Sequence, residues 1–168
     1  VVWTPDRIEA WEQLGLRPAV AVWTAPQTAR FLDYAYAHRL YAAFHLIALR
    51  GLRRGEAAGL RWCDVDLDNG VALITWQNQY DPPARRVLLD RTTVAALRVH
   101  KLRQDDERRE HRLIDTGYVF TDHKGLPLHP DRLSYAFRAL AADSGLPPVR
   151  LQDLRRARPR WRCRPGRT

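Results

Sequence analysis

Arg53 sits in the stretch Ala48-Leu49-Arg50-Gly51-Leu52-Arg53-Arg54-Gly55-Glu56-Ala57-Ala58-Gly59-Leu60-Arg61-Trp62, where an apolar helical pattern runs into Gly51 and restarts at Leu52. A guanidinium held at such a restart lies near a helix terminus, a place that already favours phosphate. Arginine presents a planar fork that pairs with two phosphate oxygens and keeps its charge at every working pH. The chemistry on offer is phosphate binding. From these residues alone, a solvated basic helix turn accounts for the stretch equally well.

The elements that must position Arg53 are legible on both sides. Trp3-Thr4-Pro5-Asp6 reads as a helix start, with Thr4 as N-cap, Pro5 at the first helical position and Trp3 stapled onto Ile8; Gly15 ends the helix. Thr24-Ala25-Pro26-Gln27 is a capping box, followed by Phe31, Leu32 and Ala35 on one helical face and Leu40, Phe44 and Ile47 on another. These helices are expected to form a hairpin supporting Arg53. His38 and His45 lie within them without a carboxylate or cysteine at ligand spacing, so packing or surface roles are expected rather than metal.

After Trp62 the period changes. Asp68-Asn69-Gly70 signals a turn, Val71 to Trp76 is strand-like, Gln77 to Arg85 is a polar loop, and Arg86-Val87-Leu88-Leu89 returns as a second strand. The alternation of Asp64, Asp66 and Asp68 suggests a calcium loop, but Asn69 then stands where the glycine is needed and Thr75 where the bidentate glutamate is needed, so calcium is rejected. Asp90 caps a long helix whose buried side is predicted to be Val94, Leu97 and Leu102, ending in a mixed-charge, solvated run from Arg103 to Glu110. Leu133, Phe137 and Leu140 give the core face of a later helix closed by Gly145.

Two boxes carry a resemblance. Gly51-Leu52-Arg53-Arg54-Gly55-Glu56, with Gly59-Leu60-Arg61-Trp62 and Asp64-Val65-Asp66-Leu67-Asp68 behind it, resembles the first catalytic box of tyrosine recombinases, the phage integrase family. Leu151-Gln152-Asp153-Leu154-Arg155-Arg156 resembles the second, which reads His-x-x-Arg inside a Leu-His-Asp-Leu-Arg-His run. Here Gln152 stands at the histidine position and Arg155 at the second arginine, about 100 residues after Arg53. The resemblance covers residues 23–155.

That resemblance implies an α+β, mainly helical catalytic domain with a small antiparallel sheet, here missing its C-terminal helices. In the family a tyrosine attacks a DNA phosphodiester to give a 3′-phosphotyrosyl link, two arginines stabilise the phosphoryl charge, and histidine and lysine move protons, without metal or cofactor. Arg53 and Arg155 would be the phosphate-clamping pair, with Arg54, Arg85 and Arg86 as further DNA contacts. The partner implied is double-stranded DNA at attachment-type sites. Self-association on DNA is also implied, although the 168 residues hold no counterpart of the C-terminal segment that members exchange.

Three departures bear on activity. Gln152 replaces the histidine, no lysine lies between Arg53 and Lys101, and no tyrosine follows Tyr135. Arg85 or Arg86 could supply charge at the lysine position, but a guanidinium with a pKa above about 12 is a poor proton donor near neutrality. Tyr118 and Tyr135 precede the second arginine and lie in apolar patterns, where core or rim packing is expected, and Tyr80 falls in the hairpin loop. After Arg156 the chain runs into Arg, Pro and Gly where the family continues with a helix, as though GC-rich DNA were read out of frame. A frameshifted or truncated domain unable to cleave is therefore expected, with uncovered apolar faces between Leu40 and Leu60.

The domain reading is residues 1–22 as a linker or the end of an upstream arm, 23–156 as a partial catalytic domain, and 157–168 as an atypical Arg/Pro-rich tail. The net charge of +9 tempers itself, since six arginines and no acid fall between Arg156 and Arg167. Arginines number 26 against two lysines, which points to a GC-rich coding sequence. No apolar run approaches the roughly 20 residues that span a bilayer, no signal peptide is visible, and two distant cysteines fit neither a zinc set nor a disulfide framework, so a cytoplasmic location is expected. Two readings without chemistry stand beside this one: a DNA-binding module that occupies a site, and a helical interaction domain.

Overall fold

In the computed structural model, residues 1–75 and 84–155 are described. Tyr80, most of the predicted polar loop and the tail from Arg156 onward lie outside them.

Helix α1, Pro5–Leu14, starts on the proline and stops at Gly15, whose φ of 68° is the left-handed turn expected there. Thr4 precedes it but its hydroxyl makes no capping bond. Trp3 is buried, meets the Trp11 ring edge-on at 6.0 Å, and its indole N–H donates to the Pro148 carbonyl at 3.2 Å. Trp23 repeats the device on the preceding carbonyl, Pro147, at 2.7 Å. Two indoles thus grip the segment that enters the last helix.

Helix α2, Ala25–Tyr34, has the predicted capping box: the Thr24 hydroxyl accepts the Gln27 N–H at 3.3 Å and the Gln27 side chain accepts the Thr24 N–H at 2.8 Å. Helix α3, Tyr41–His45, continues as a single π-helical turn, Leu46–Arg50, which ends at Gly51 with φ 75°. Phe31, Phe44 and Trp23 surround Phe137 of helix α6, Pro130–Asp143, with ring centroids 4.9 to 6.0 Å apart. This aromatic cluster is the centre of the core and joins α6 to α2 and α3.

Helix α4, Arg54–Ala58, leads through a 3-10 turn, Trp62–Asp64, into a three-stranded antiparallel meander: β1 Val65–Asp66, β2 Val71–Ile74 and β3 Arg85–Leu88. Ala72 pairs with Val87 and Ile74 with Arg85 on the buried face, while Leu73 pairs with Arg86 on the outer one. Helix α5, Arg91–His111, follows, capped by Asp90, which accepts the Thr93 N–H at 2.9 Å. Helix α7, Leu151–Leu154, closes the described chain.

Three expectations are corrected. The buried side of α5 is Thr93, Leu97, His100 and Gln104, and Leu102 is 63% exposed. The reason is polar: Gln104 donates to the Tyr118 and Val119 carbonyls and accepts the Trp62 indole N–H at 2.7 Å, and His100 bonds the Val119 carbonyl at 2.7 Å, which turns the His100–Gln104 side inward and Leu102, two residues from each, outward. Tyr135 is 63% exposed, on the face of α6 that turns away from Phe137. The apolar side chains at Leu40, Leu46, Ile47, Leu52 and Leu60 are all buried, because α2, α5, α6 and α7 pack around that stretch.

His45 and His100 are buried, and burial holds both imidazoles below their ordinary pKa of 6.5. The unfolded chain binds more protons than the folded one between the depressed pKa and 6.5, so their contribution to stability is complete above 6.5 and is lost as pH falls through that window. Asp90 is held down to about 2 by hydrogen bonds from Thr93 and Thr92 and by Arg50, overcoming its desolvation, so its contribution is lost only below the ordinary carboxylate range. The urea midpoint is expected to be level above about pH 7 and to fall as the pH drops below about 6.5. His100→Gln should flatten that fall; an unchanged slope in this variant and in His45→Gln would contradict the assignment.

Candidate nucleic-acid interface

Arg53 stands in extended conformation between the left-handed Gly51 and the first turn of α4. Leu52 is buried and anchors the backbone, leaving the Arg53 and Arg54 side chains at the surface. The helical restart predicted at Leu52 begins two residues later, at Arg54, because the backbone must first reverse out of the π-helical turn.

Glu56 holds this corner together. Its side chain is 4% exposed, and one oxygen, Oε2, accepts both the Arg53 backbone N–H at 2.8 Å and the Arg85 guanidinium at 2.8 Å. Arg85 reaches it because Ile74 and Arg85 are paired on the inner face of the sheet. Arg86, one residue on, points to the opposite face, beside Trp62, Asp66 and Lys101. Arg85 therefore joins Arg53 and Arg86 does not. Arg54 is spent on α6, donating to Asp131 at 2.7 Å and Ser134 at 3.2 Å.

In the sequence Glu56 stands inside the first box without a role of its own. Its signal was present: a glutamate three residues after the position that precedes a helix is half of a capping box, here without a hydroxyl at the other end. Removing this carboxylate takes away the acceptor of the part-buried Arg53 N–H bond and breaks the ion pair that holds Arg85. Glu56→Ala is expected to cost about 2–3 kcal/mol of stability and Glu56→Gln less, because the amide oxygen still accepts the N–H. Equal unfolding midpoints for wild type and Glu56→Ala would contradict this role.

Arg155 follows α7, whose Leu151, Asp153 and Leu154 are buried while Gln152 is exposed. Arg150 donates to Asp153 at 2.7 Å, tying the first turn of α7 to its own approach. Both α4 and α7 pack against α6 and against the π-helical turn. The segments that carry Arg53 and Arg155 thus share two supports, although they lie about 100 residues apart in sequence. Tyr118 accepts from Arg61 at 2.9 Å with the guanidinium 4.5 Å above its ring, a packing role that leaves its hydroxyl occupied.

Among the described residues no group of three or more His, Cys, Asp or Glu side chains is placed to hold a metal ion, and no helix is long and apolar enough to cross a membrane. The profile of the phage integrase family matches residues 22–161. The chain belongs to the phage integrase family. A Sinorhizobium fredii protein, y4rB, named as an integrase/recombinase, is 33% identical over 108 residues, covering 63% of this chain and 32% of its own length. The XerA recombinase structure superposes with a TM-score of 0.68 at 22% identity, over 91% of this chain and 60% of XerA. The Tn1549 transposon integrase, solved in complex with transposon right end DNA, gives 0.65 at 20% identity, over 84% of this chain and 52% of that one. The chain therefore has the helical fold with a small antiparallel sheet seen in those recombinases, and it spans about a third of the length of the Sinorhizobium relative.

Proposed function

We propose that this chain binds duplex DNA through the phosphate backbone of the DNA, with Arg53 and Arg155 clamping one phosphodiester and Arg85, held on Glu56, positioned beside them. The observation that carries this reading is the corner at Glu56, which fixes the Arg53 backbone and the Arg85 guanidinium on the same buried oxygen. A clamp aimed at a dianionic transition state needs guanidiniums held in place before the phosphate arrives. The XerH structure, bound to its difH substrate and superposing at a TM-score of 0.62, supports DNA as the ligand.

Strand cleavage by these 168 residues alone is not part of the proposal. Gln152 stands where the family has histidine, and a carboxamide neither accepts nor releases a proton near neutrality. Residues 23–156 act as the catalytic-type domain, and 1–22 as the end of an upstream arm clipped on by Trp3. The targets are attachment-type sites.

Fluorescence anisotropy with a labelled duplex tests the binding half: affinity should fall at least tenfold between roughly 50 and 200 mM salt, as counterions compete for the phosphates. Absence of binding at low salt, or binding indifferent to salt, would contradict it. Incubation with a nicked duplex tests the other half, where a covalent protein–DNA adduct would overturn the non-cleaving reading.

A further inference from the structure

Between α3 and the first half of α5 lies a cavity of about 250 Å³, apart from the arginine corner. Tyr36, Tyr41, Ala42, Ala96 and Val99 form its walls, and Arg103 stands at its mouth. Tyr36 and Tyr41 meet edge to face with centroids 5.2 Å apart, so the aromatic wall is braced by its own ring contact.

Two of the polar side chains that reach the cavity are held by other partners. His45 shares a hydrogen bond with the Tyr41 hydroxyl at 3.2 Å through Nδ1 and with Thr93 at 3.1 Å through Nε2. Arg39 is committed to Glu107 through two nitrogens and to the Thr121 and Asp122 carbonyls. Tyr36 and Val99 leave the cleft partly open to solvent, but its walls are mostly apolar, and about 150 Å³ of apolar space is already enough for benzene. The larger volume here suits a two-ring body. Arg103 has no hydrogen bond or ion pair among the described residues, so the mouth carries a cation able to meet an anion.

We propose that this cavity binds a small aromatic carboxylate, its ring system enclosed by Tyr36, Tyr41, Ala96 and Val99 and its carboxylate paired with Arg103. The occupant is a free small molecule. The proposal is independent of DNA binding.

Isothermal titration of the full 168-residue chain with indole-3-acetate, and with indole-3-acetamide as its neutral counterpart, tests it. The acetate should bind one to one and roughly tenfold more tightly than the amide. Arg103→Gln should bring the acetate to the level of the amide and leave the amide unchanged. Val99→Trp, at a rim position 42% exposed, should block both ligands while keeping the melting transition. Because Arg103 is exposed, its variant decides the matter even where tryptophan at 99 is not tolerated. No saturable binding of the acetate, equal binding of acetate and amide, or acetate affinity unchanged in Arg103→Gln would each overturn the proposal.

Discussion

Replacing Arg53 and Arg155 together with alanine is expected to lower the affinity for duplex DNA by about a hundredfold. A hydrogen bond to a charged group contributes about 1.5–3 kcal/mol, and each 1.4 kcal/mol is tenfold in affinity, so two guanidiniums on one phosphate reach that loss even when their effects overlap. Fold stability should barely change, because both side chains lie at or near the surface while Leu52, Leu151 and Leu154 do the packing around them. The dependence on salt should become shallower as well, since fewer phosphates are neutralised. Arg109→Ala serves as a control: it is an exposed arginine of α5 whose partner is Asp106, and its loss should leave binding nearly intact. Anisotropy titrations of the variants check the prediction, and a double variant that binds like wild type would contradict it.

Phe137→Ala is expected to have the largest effect on stability, about 3–5 kcal/mol, the range for deleting a buried phenyl ring. Phe137 is 1% exposed and touches Phe31 at 4.9 Å, Trp23 at 5.5 Å and Phe44 at 6.0 Å between ring centroids, so no single neighbour can move in to fill the space. Domains of this size have roughly 5–15 kcal/mol in total, which leaves the variant close to unfolding. The loss also reaches the interface, because α4 and α7 both pack on α6. Urea unfolding should show a lower midpoint with little change in slope, and Phe137→Leu should lose much less. A deficit below about 1 kcal/mol for the alanine variant would mean that the aromatic cluster is not the centre of the core.

Much of this architecture is legible locally. The Thr24–Gln27 capping box, the Asp90 cap and the Gly51 stop need only residues within one helical turn of each other, and Phe31, Phe44 and Phe137 each fall on the apolar face of their own helix. What the sequence hides depends on partners distant along the chain. Gln104 and His100 read as surface positions, yet they are buried because carbonyls 14 to 19 residues later take their hydrogen bonds. Trp3 and Trp23 look like helix-start residues, and only the fold brings the Pro147 and Pro148 carbonyls to their indoles. Arg85 and Arg86 are equivalent in a list of charges; strand register alone sends one to Glu56 and the other to the far face. The π-helical turn has no composition of its own, so the two-residue delay before α4 could not be read from Gly51 and Leu52.

The central claim, that Arg53 and Arg155 grip one phosphate, is tested most directly by a double-mutant cycle on DNA affinity with Arg53→Ala, Arg155→Ala and the pair. A shared phosphate predicts strong coupling: each single substitution removes most of the binding, and the product of the two single losses exceeds the loss in the double variant by at least about fivefold. Losses that simply multiply would place the two arginines on separate phosphates and contradict the clamp.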